Sequence, residues 1–139
     1  MRISLFTISF FLYSSVVHSQ SFKLGTSYQG GKIFYINSTG KHGLVASLKD
    51  QSGAATWKEA LKMCMDLRIA GYSGWRLPTI DELRKLYDKR TVVGSFSKLR
   101  YWSGTEFDKL SVKFKDFGNG NENGCLKNFP ISVRAIRSF

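Results

Sequence analysis

The sequence predicts an α+β domain, with strand-rich ends enclosing a helical middle in the order β-β-α-α-β-β-β. Three observations lead to it. Two capping boxes, Thr56 with Glu59 and Thr79 with Glu82, mark two helix starts in the centre of the chain. Apolar and polar residues alternate along 110–115 and 131–135, the period of a half-buried strand. The length of 139 residues, with 42% hydrophobic and 14% aromatic residues, fits one folded domain and excludes both a disordered chain and a large multi-domain enzyme.

Residues 1–19 read as a secretory signal peptide. Arg2 supplies the basic start, residues 3–17 are largely apolar, and Val17 and Ser19 are small residues at the −3 and −1 positions of a cleavage site. The stretch is short of the roughly 20 apolar residues that a membrane helix needs. No later run is long enough to span a bilayer, so no transmembrane segment is expected after signal removal. The mature domain is then 20–139, secreted, periplasmic or at the cell surface.

Within that domain, 20–31 is a Gly-rich lead-in. Residues 32–37 (KIFYIN) and 43–48 (GLVASL) form two strands around a turn at Ser38–His42. Asn37-Ser38-Thr39 is also a glycosylation sequon, but the turn accounts for it. The first helix carries Trp57, Ala60, Leu61, Cys64, Met65 and Leu67 on one apolar stripe, with Gly71 as its stop. The second carries Leu83, Leu86 and Tyr87, follows Pro78 and ends near Lys89 or Arg90. Tyr101–Ser103 is a short strand. Leu110, Val112 and Phe114 face inward from a strand whose Lys113 and Lys115 face out. Residues 116–124 form a turn-rich loop, and 131–135 a final strand.

The chain has 21 Lys+Arg against 10 Asp+Glu, a net charge of +11. The excess is spread over both halves, so there is no basic tail. Two readings fit: a polyanionic partner such as a sulfated glycan, or solubility in an anionic surrounding. Cys64 and Cys125 are the two cysteines. In an exported protein they suggest a disulfide closing a long loop, contributing about 4 kcal/mol; two buried free thiols are the alternative. A zinc site is not expected, since the mature chain has one histidine, His42, and no CxxC pair.

Four segments, in order, resemble a known family: ATWKEALKMC, GYSGWRLPTIDELRKLY, YWSGTEF and ISVRAIR. Together they are similar to the Lcl C-terminal domain family, named for a collagen-like adhesin of Legionella. The likeness covers roughly 28–137, and GWRLPT-x-x-EL is its most specific part. It implies a C-type lectin-like fold, with two helices flanking a small, mostly antiparallel sheet. It also implies paired N- and C-terminal strands, here 32–37 against 131–137. Relatives often carry a cysteine between the two arginines of the last strand. This chain has Ala135 there, and Cys125 lies in the preceding loop, so a bridge to Cys64 would be shifted. The adhesin is associated with sulfated glycosaminoglycans and attachment, but no collagen-like Gly-X-Y stalk is present here.

Trp57, Trp75, Arg76, Leu77, Pro78, Glu82, Trp102 and Arg134 read as structural signature residues. Tyr101 and Trp102 have the chemistry to stack on a sugar, but their strand position favours the core. Asp116, Asn119, Asn121, Glu122 and Asn123 make an oxygen-rich loop, yet Pro130 stands where an EF-hand would place its closing acid. Neither a metal nor a cofactor is expected. Lys98, Arg100, Lys109, Lys113 and Lys115, on or beside adjacent strands, form the candidate anion-binding set, with Lys85, Lys89 and Arg90 near the second helix end. No nucleophile constellation supports catalysis, and no nucleic-acid module is present. The expected protein is a non-catalytic, secreted bacterial binding module for an anionic glycan or cell-surface polymer. The alternative is a structural or interaction module that meets an envelope protein.

Overall fold

The computed structural model describes residues 11–16 and 20–139. Most of the proposed signal peptide lies outside the described residues. The part that is described, 11–16, has no helix or strand and keeps its side chains exposed.

Both helices begin where their capping boxes place them. α1 (Trp57–Asp66) is capped by Thr56, whose hydroxyl accepts from the Glu59 amide at 3.4 Å while the Glu59 carboxylate accepts from the Thr56 amide at 3.0 Å. α2 (Ile80–Asp88) repeats the device with Thr79 and Glu82, at 3.2 and 2.8 Å. A short α3 (Arg90–Val93) follows directly and stops at Gly94. α1 ends earlier than its stripe suggested: Leu67 is the cap, and Gly71 does not terminate it. Ala70 and Gly71 instead both take positive φ, at 50° and 81°, at the tip of a tight turn closed by paired hydrogen bonds between Ile69 and Tyr72. That is the geometry of a two-residue hairpin turn. Leu61 and Met65 stay exposed, while Ala60 and Cys64 are the buried residues of the stripe.

The strands form two sheets. β1 (Ser27–Tyr28), β2 (Gly31–Ile36), β3 (Gly43–Ser47) and β9 (Ile136–Ser138) make an antiparallel sheet in the order β1-β2-β3-β9. β4 (Gln51–Ala55), β5 (Arg100–Glu106), β6 (Ser111–Asp116), β7 (Glu122–Leu126) and β8 (Ile131–Val133) make a second in the order β4-β8-β5-β6-β7, in which the β5–β8 pair is parallel. The domain is therefore α+β with mostly antiparallel strands.

The terminal pairing differs from expectation. The segment 32–37 does not pair with the C-terminal strand, because β3 lies between β2 and β9. All of β3 is buried, and a strand buried along its length needs a ladder on each side. Gly43 opens it where a Cβ would stand 2.1 Å from the Tyr35 carbonyl oxygen, so no other residue fits there without displacing β2. The expected single strand at 131–137 is two strands in two sheets. The chain changes sheet at Arg134–Ala135, where Ser47 donates to the Ala135 carbonyl. Expected loop residues Glu122 to Gly124 belong to β7, and β4 was not foreseen.

The five-stranded sheet is covered on both faces. On one side Trp102, Val112, Phe114, Ile131 and Val133 pack with Ala60 and Cys64 of α1 and with Trp75 and Leu77. On the other, Tyr101 and Phe117 pack with Ile80, Leu83 and Leu86 of α2, and with Phe34 and Ile136 of the first sheet. Each such side chain stabilises the fold by roughly 1.5–3 kcal/mol through removal from water. Trp102 donates its indole N–H to the Ala55 carbonyl at 2.7 Å, tying β5 to β4.

Arg134 occupies the crossing between the sheets and is 0% exposed. Its Nε donates to Asp50 at 2.8 Å and its Nη1 to the Ser47 carbonyl at 3.1 Å, while Nη2 donates to the Ser95 carbonyl. Its guanidinium carbon lies 4.0 Å from the Phe96 ring centroid. The Tyr101 hydroxyl donates to the other Asp50 oxygen at 2.8 Å and accepts from the Ser97 amide. Burial first, then the Asp50 hydrogen bond, pushes the Tyr101 phenol up to about 12.

Asp50→Ala is expected to cost about 3 kcal/mol or more, because it strands a buried guanidinium. Arg134→Met is expected to cost less, because the Asp50 left behind is partly solvated. Urea unfolding midpoints of the two variants check the order.

Candidate binding surface

The WRLP segment builds a joint. Arg76 exchanges both backbone hydrogen bonds with Ile136 at 2.9 Å, and the Pro78 carbonyl accepts from the Gly104 amide at 2.8 Å. Trp75 and Leu77 are buried, and the Trp75 indole donates to the Tyr72 carbonyl. The Arg76 guanidinium grips Glu82 with two bonds, at 2.7 and 2.8 Å. Burial alone pushes the Glu82 carboxyl up, but the hydrogen bonds from Arg76 and Thr79 outweigh it and hold it below the ordinary carboxylate range. Trp57 begins α1, its amide donating to Lys127 and its indole to Ser103. Trp57, Trp75, Arg76, Leu77, Pro78, Glu82, Trp102 and Arg134 all make structural contacts. Tyr101 and Trp102 are fully buried and offer no face to a sugar.

The five candidate cations do not form one patch. Lys98 and Arg100 line a cleft of about 260 Å³ with Leu99, Asp116, Pro130 and Ser132, at the end of the sheet where β5 and β8 begin. Arg100 lies over Phe114 and 3.8 Å from Asp116. Lys109 is exposed at the β5–β6 turn. Lys113 borders a separate recess of about 170 Å³ beside Phe107 and Asn123.

Lys115 is buried, contrary to the expected basic outer face of β6. Its ammonium donates to the Gly120 carbonyl at 2.9 Å and to Glu122 at 3.0 Å, and lies 4.7 Å from the Tyr87 ring centroid. The reason is that α2 covers this side of the sheet. The alternation along β6 therefore separates two covered faces, with Lys113 at the rim and Lys115 underneath.

The 116–124 segment uses its oxygens internally. Asp116 accepts from the Gly118 amide, Asn119 from Asn121 and Asn123 from Gly124. Glu122 is held by Arg84 of α2 and by Lys115. Hydrogen bonds from Arg84, working against desolvation and joined by Lys115, bring its carboxyl down to about 2. Among the described residues no group of His, Cys, Asp and Glu could hold a metal ion.

The expected Cys64–Cys125 bridge is absent, and both are free thiols. Cys64 sits on the inner side of α1, which packs over β4 and β5, whereas Cys125 lies on β7 at the sheet edge, beyond β6. The two thus meet one core cluster from different elements, without the close Cβ approach of about 3.8 Å that a bridge requires. Burial pushes the Cys64 thiol up to about 12; burial, opposed by Arg100, raises Cys125 less.

The charge distribution is informative as a whole. Asp50, Asp66, Asp81, Glu82, Glu106, Asp116 and Glu122 are each engaged by a cation. Lys23, Lys41, Lys49, Lys58, Lys85, Lys98 and Lys109 are exposed and carry no ion pair among the described residues. The positive excess is therefore at the surface.

One grouping was missed in the sequence. Tyr35, Asn37, His42 and Lys85 border a common cleft of about 500 Å³ between the β2–β3 hairpin, α2 and the end of β9. Their positions in the chain gave no signal of it, since only the packing of α2 on β2 unites them.

These features define a small, basic α+β domain whose signature residues serve its architecture. The family model for the Lcl C-terminal domain matches residues 15–137, and the chain belongs to that family. No curated protein matches the chain.

Two outcomes are expected. The Glu122 carboxyl is depressed in the fold from the ordinary 4.5 to about 2. Its contribution is therefore complete above about 4.5 and is lost as pH falls from 4.5 towards 2. Glu122→Gln should flatten that stretch of the acid stability profile, followed by circular dichroism. Native protein treated with iodoacetamide without reductant should take one label, on Cys125, with Cys64 labelled only after unfolding; mass spectrometry reads both.

Proposed function

We propose that the protein is an exported, adhesin-like binding module that recognises an anionic, sulfated glycan or similar cell-surface polymer and carries out no catalysis. The observation that carries this reading is the partition of charge. Most of the carboxylates are engaged by a cation, and seven exposed lysines have no ion pair among the described residues. Such a surface attracts a polyanion through many weak, screened contacts. Membership of the Lcl C-terminal domain family supports an adhesin-like role. Export follows in this reading from cleavage near Ser19, giving a secreted, periplasmic or surface protein.

Lys98 and Arg100 at their cleft, with Lys109 and Lys113, remain contributors to this surface. Lys115 is withdrawn from it because Glu122 and Gly120 occupy its ammonium.

A second reading, docking to an envelope protein, is favoured by one feature. An apolar groove of about 490 Å³ runs along the start of α1, floored by Trp57 and Leu61 and rimmed by Lys58, Lys127 and Asn128.

Binding of the mature protein to immobilised heparin across a salt series tests the first reading. Retention is expected to weaken steadily with salt, to be indifferent to calcium, and to fall further in Lys98→Glu plus Lys113→Glu. Lys115→Glu is expected to damage folding rather than binding alone. Absence of binding to any anionic glycan at low salt would overturn the reading.

A further inference from the structure

The cleft between the β2–β3 hairpin and α2 has a mixed lining and, at about 500 Å³, is roomier than the cleft at Lys98 and Arg100 or the recess at Lys113. Lys85, on the last turn of α2, is exposed, has no carboxylate partner among the described residues and lies 5.4 Å from the Tyr35 ring centroid. Of the two acids three residues away along the helix, Glu82 is gripped on both oxygens by Arg76, and Asp88 is exposed and pairs with no cation among the described residues. Asp81 is taken by Arg84. The carboxylate in the wall of the cleft is thus neutralised, and Lys85 is not.

Asn37 and Tyr35 keep donors open after local bonding, and His42 keeps an acceptor. The Asn37 side-chain oxygen accepts from the Thr39 hydroxyl at 2.7 Å and from the His42 amide at 3.3 Å, so the face it keeps open is its NH₂. His42 Nδ1 lies 3.2 Å from the Phe139 carbonyl and donates to it, so Nε2 of the neutral ring is an acceptor, and it has no partner among the described residues. The Tyr35 hydroxyl has no hydrogen-bond partner among the described residues. Leu44, the register partner of Tyr35 in the neighbouring strand, is the apolar side chain of the lining on this face of the sheet. Phe139 also borders the cleft, but its ring packs against Phe22 and Tyr28 on the other face of the sheet, at 4.8 and 5.0 Å between centroids, which fixes the end of β9.

We infer that this cleft seats one anionic sugar residue of the bound polymer, a hexose carrying a sulfate or a carboxylate. Lys85 takes the oxyanion, the Asn37 amide and the Tyr35 hydroxyl donate to it or to ring hydroxyls, His42 Nε2 accepts from a ring hydroxyl, and Leu44 meets the apolar C–H face. The inference rests on the polyanion reading and adds to it a site with steric selectivity. Scattered surface lysines sense charge density alone, whereas a walled cleft distinguishes one sugar from another.

The test is calorimetric titration of the mature protein with three tetrasaccharides: a heparin fragment, a hyaluronan fragment (carboxylate alone) and neutral cellotetraose. Wild-type protein is expected to bind one or both of the anionic fragments and not cellotetraose. Lys85→Gln and His42→Gln are each expected to weaken that binding about tenfold. Lys98→Gln and Lys113→Gln should weaken it by less than about threefold, as single distant charges do. Both cleft side chains are exposed, and unchanged thermal melting of each variant verifies the fold. If the wild type binds but the cleft variants bind equally well, the cleft is overturned while the polyanion reading stands. Equal binding of cellotetraose also overturns it. If the wild type binds neither anionic fragment nor heparin, the polyanion reading falls first.

Discussion

The buried Arg134–Asp50 pair is the constraint on which the arrangement of the two sheets depends. A guanidinium with no exposure to water must be surrounded by acceptors, and the acceptors come from places far apart in the chain. Asp50 and Ser47 flank the step from β3 to β4, and Ser95 follows α3. Satisfying Arg134 therefore fixes the corner where the first sheet hands over to the second, the loop before β5, and the point where the chain leaves β8 for β9. Tyr101 extends the same network into the centre of the five-stranded sheet. A hydrophobic residue at this corner would fill space, but it would not dictate which three segments meet.

The legible part of the fold was the part specified over short distances. Thr56 with Glu59 and Thr79 with Glu82 act across a single helical turn, so their roles are readable without a partner. The turn at Asn37–His42 was equally local. What stayed hidden was set by long-range partners. Nothing near Lys115 indicates that α2 lies above it, or that Arg84 and Lys115 share Glu122. Nothing near Arg134 identifies Asp50. A period-two pattern in β6 says that two faces differ, but it does not say that both are covered. The cysteines misled for a related reason. Their number and the expected export argued for a bridge, whereas the strand order places β6 between them. On the candidate site, residue type was legible and grouping was not: the basic residues were identified, but their division among separate clefts follows from the topology.

The charge pattern links folding to surface chemistry. Internal ion pairs draw on a small supply of acids, and each one used at a joint is withdrawn from the outside. Glu82 closes the WRLP joint, Glu122 binds α2 to β7, and Asp50 holds the sheet corner. The same residues that lock the architecture thus leave the exterior positive, so the net charge at the surface is partly a by-product of how the interior is fastened.

The strand order also has a kinetic consequence. β8 lies between β4 and β5, and β9 completes the ladder beside β3. Residues 131–138 are therefore inserted into both sheets, and until they arrive neither sheet is whole. A chain emerging from its N-terminus can cap its helices and close the β2–β3 hairpin, but β3 keeps a bare edge and β4 has no neighbour. Such non-local closure slows folding through the entropy of bringing distant segments together. A partly synthesised chain can therefore form its local elements, but neither sheet is completed until its last residues are in place.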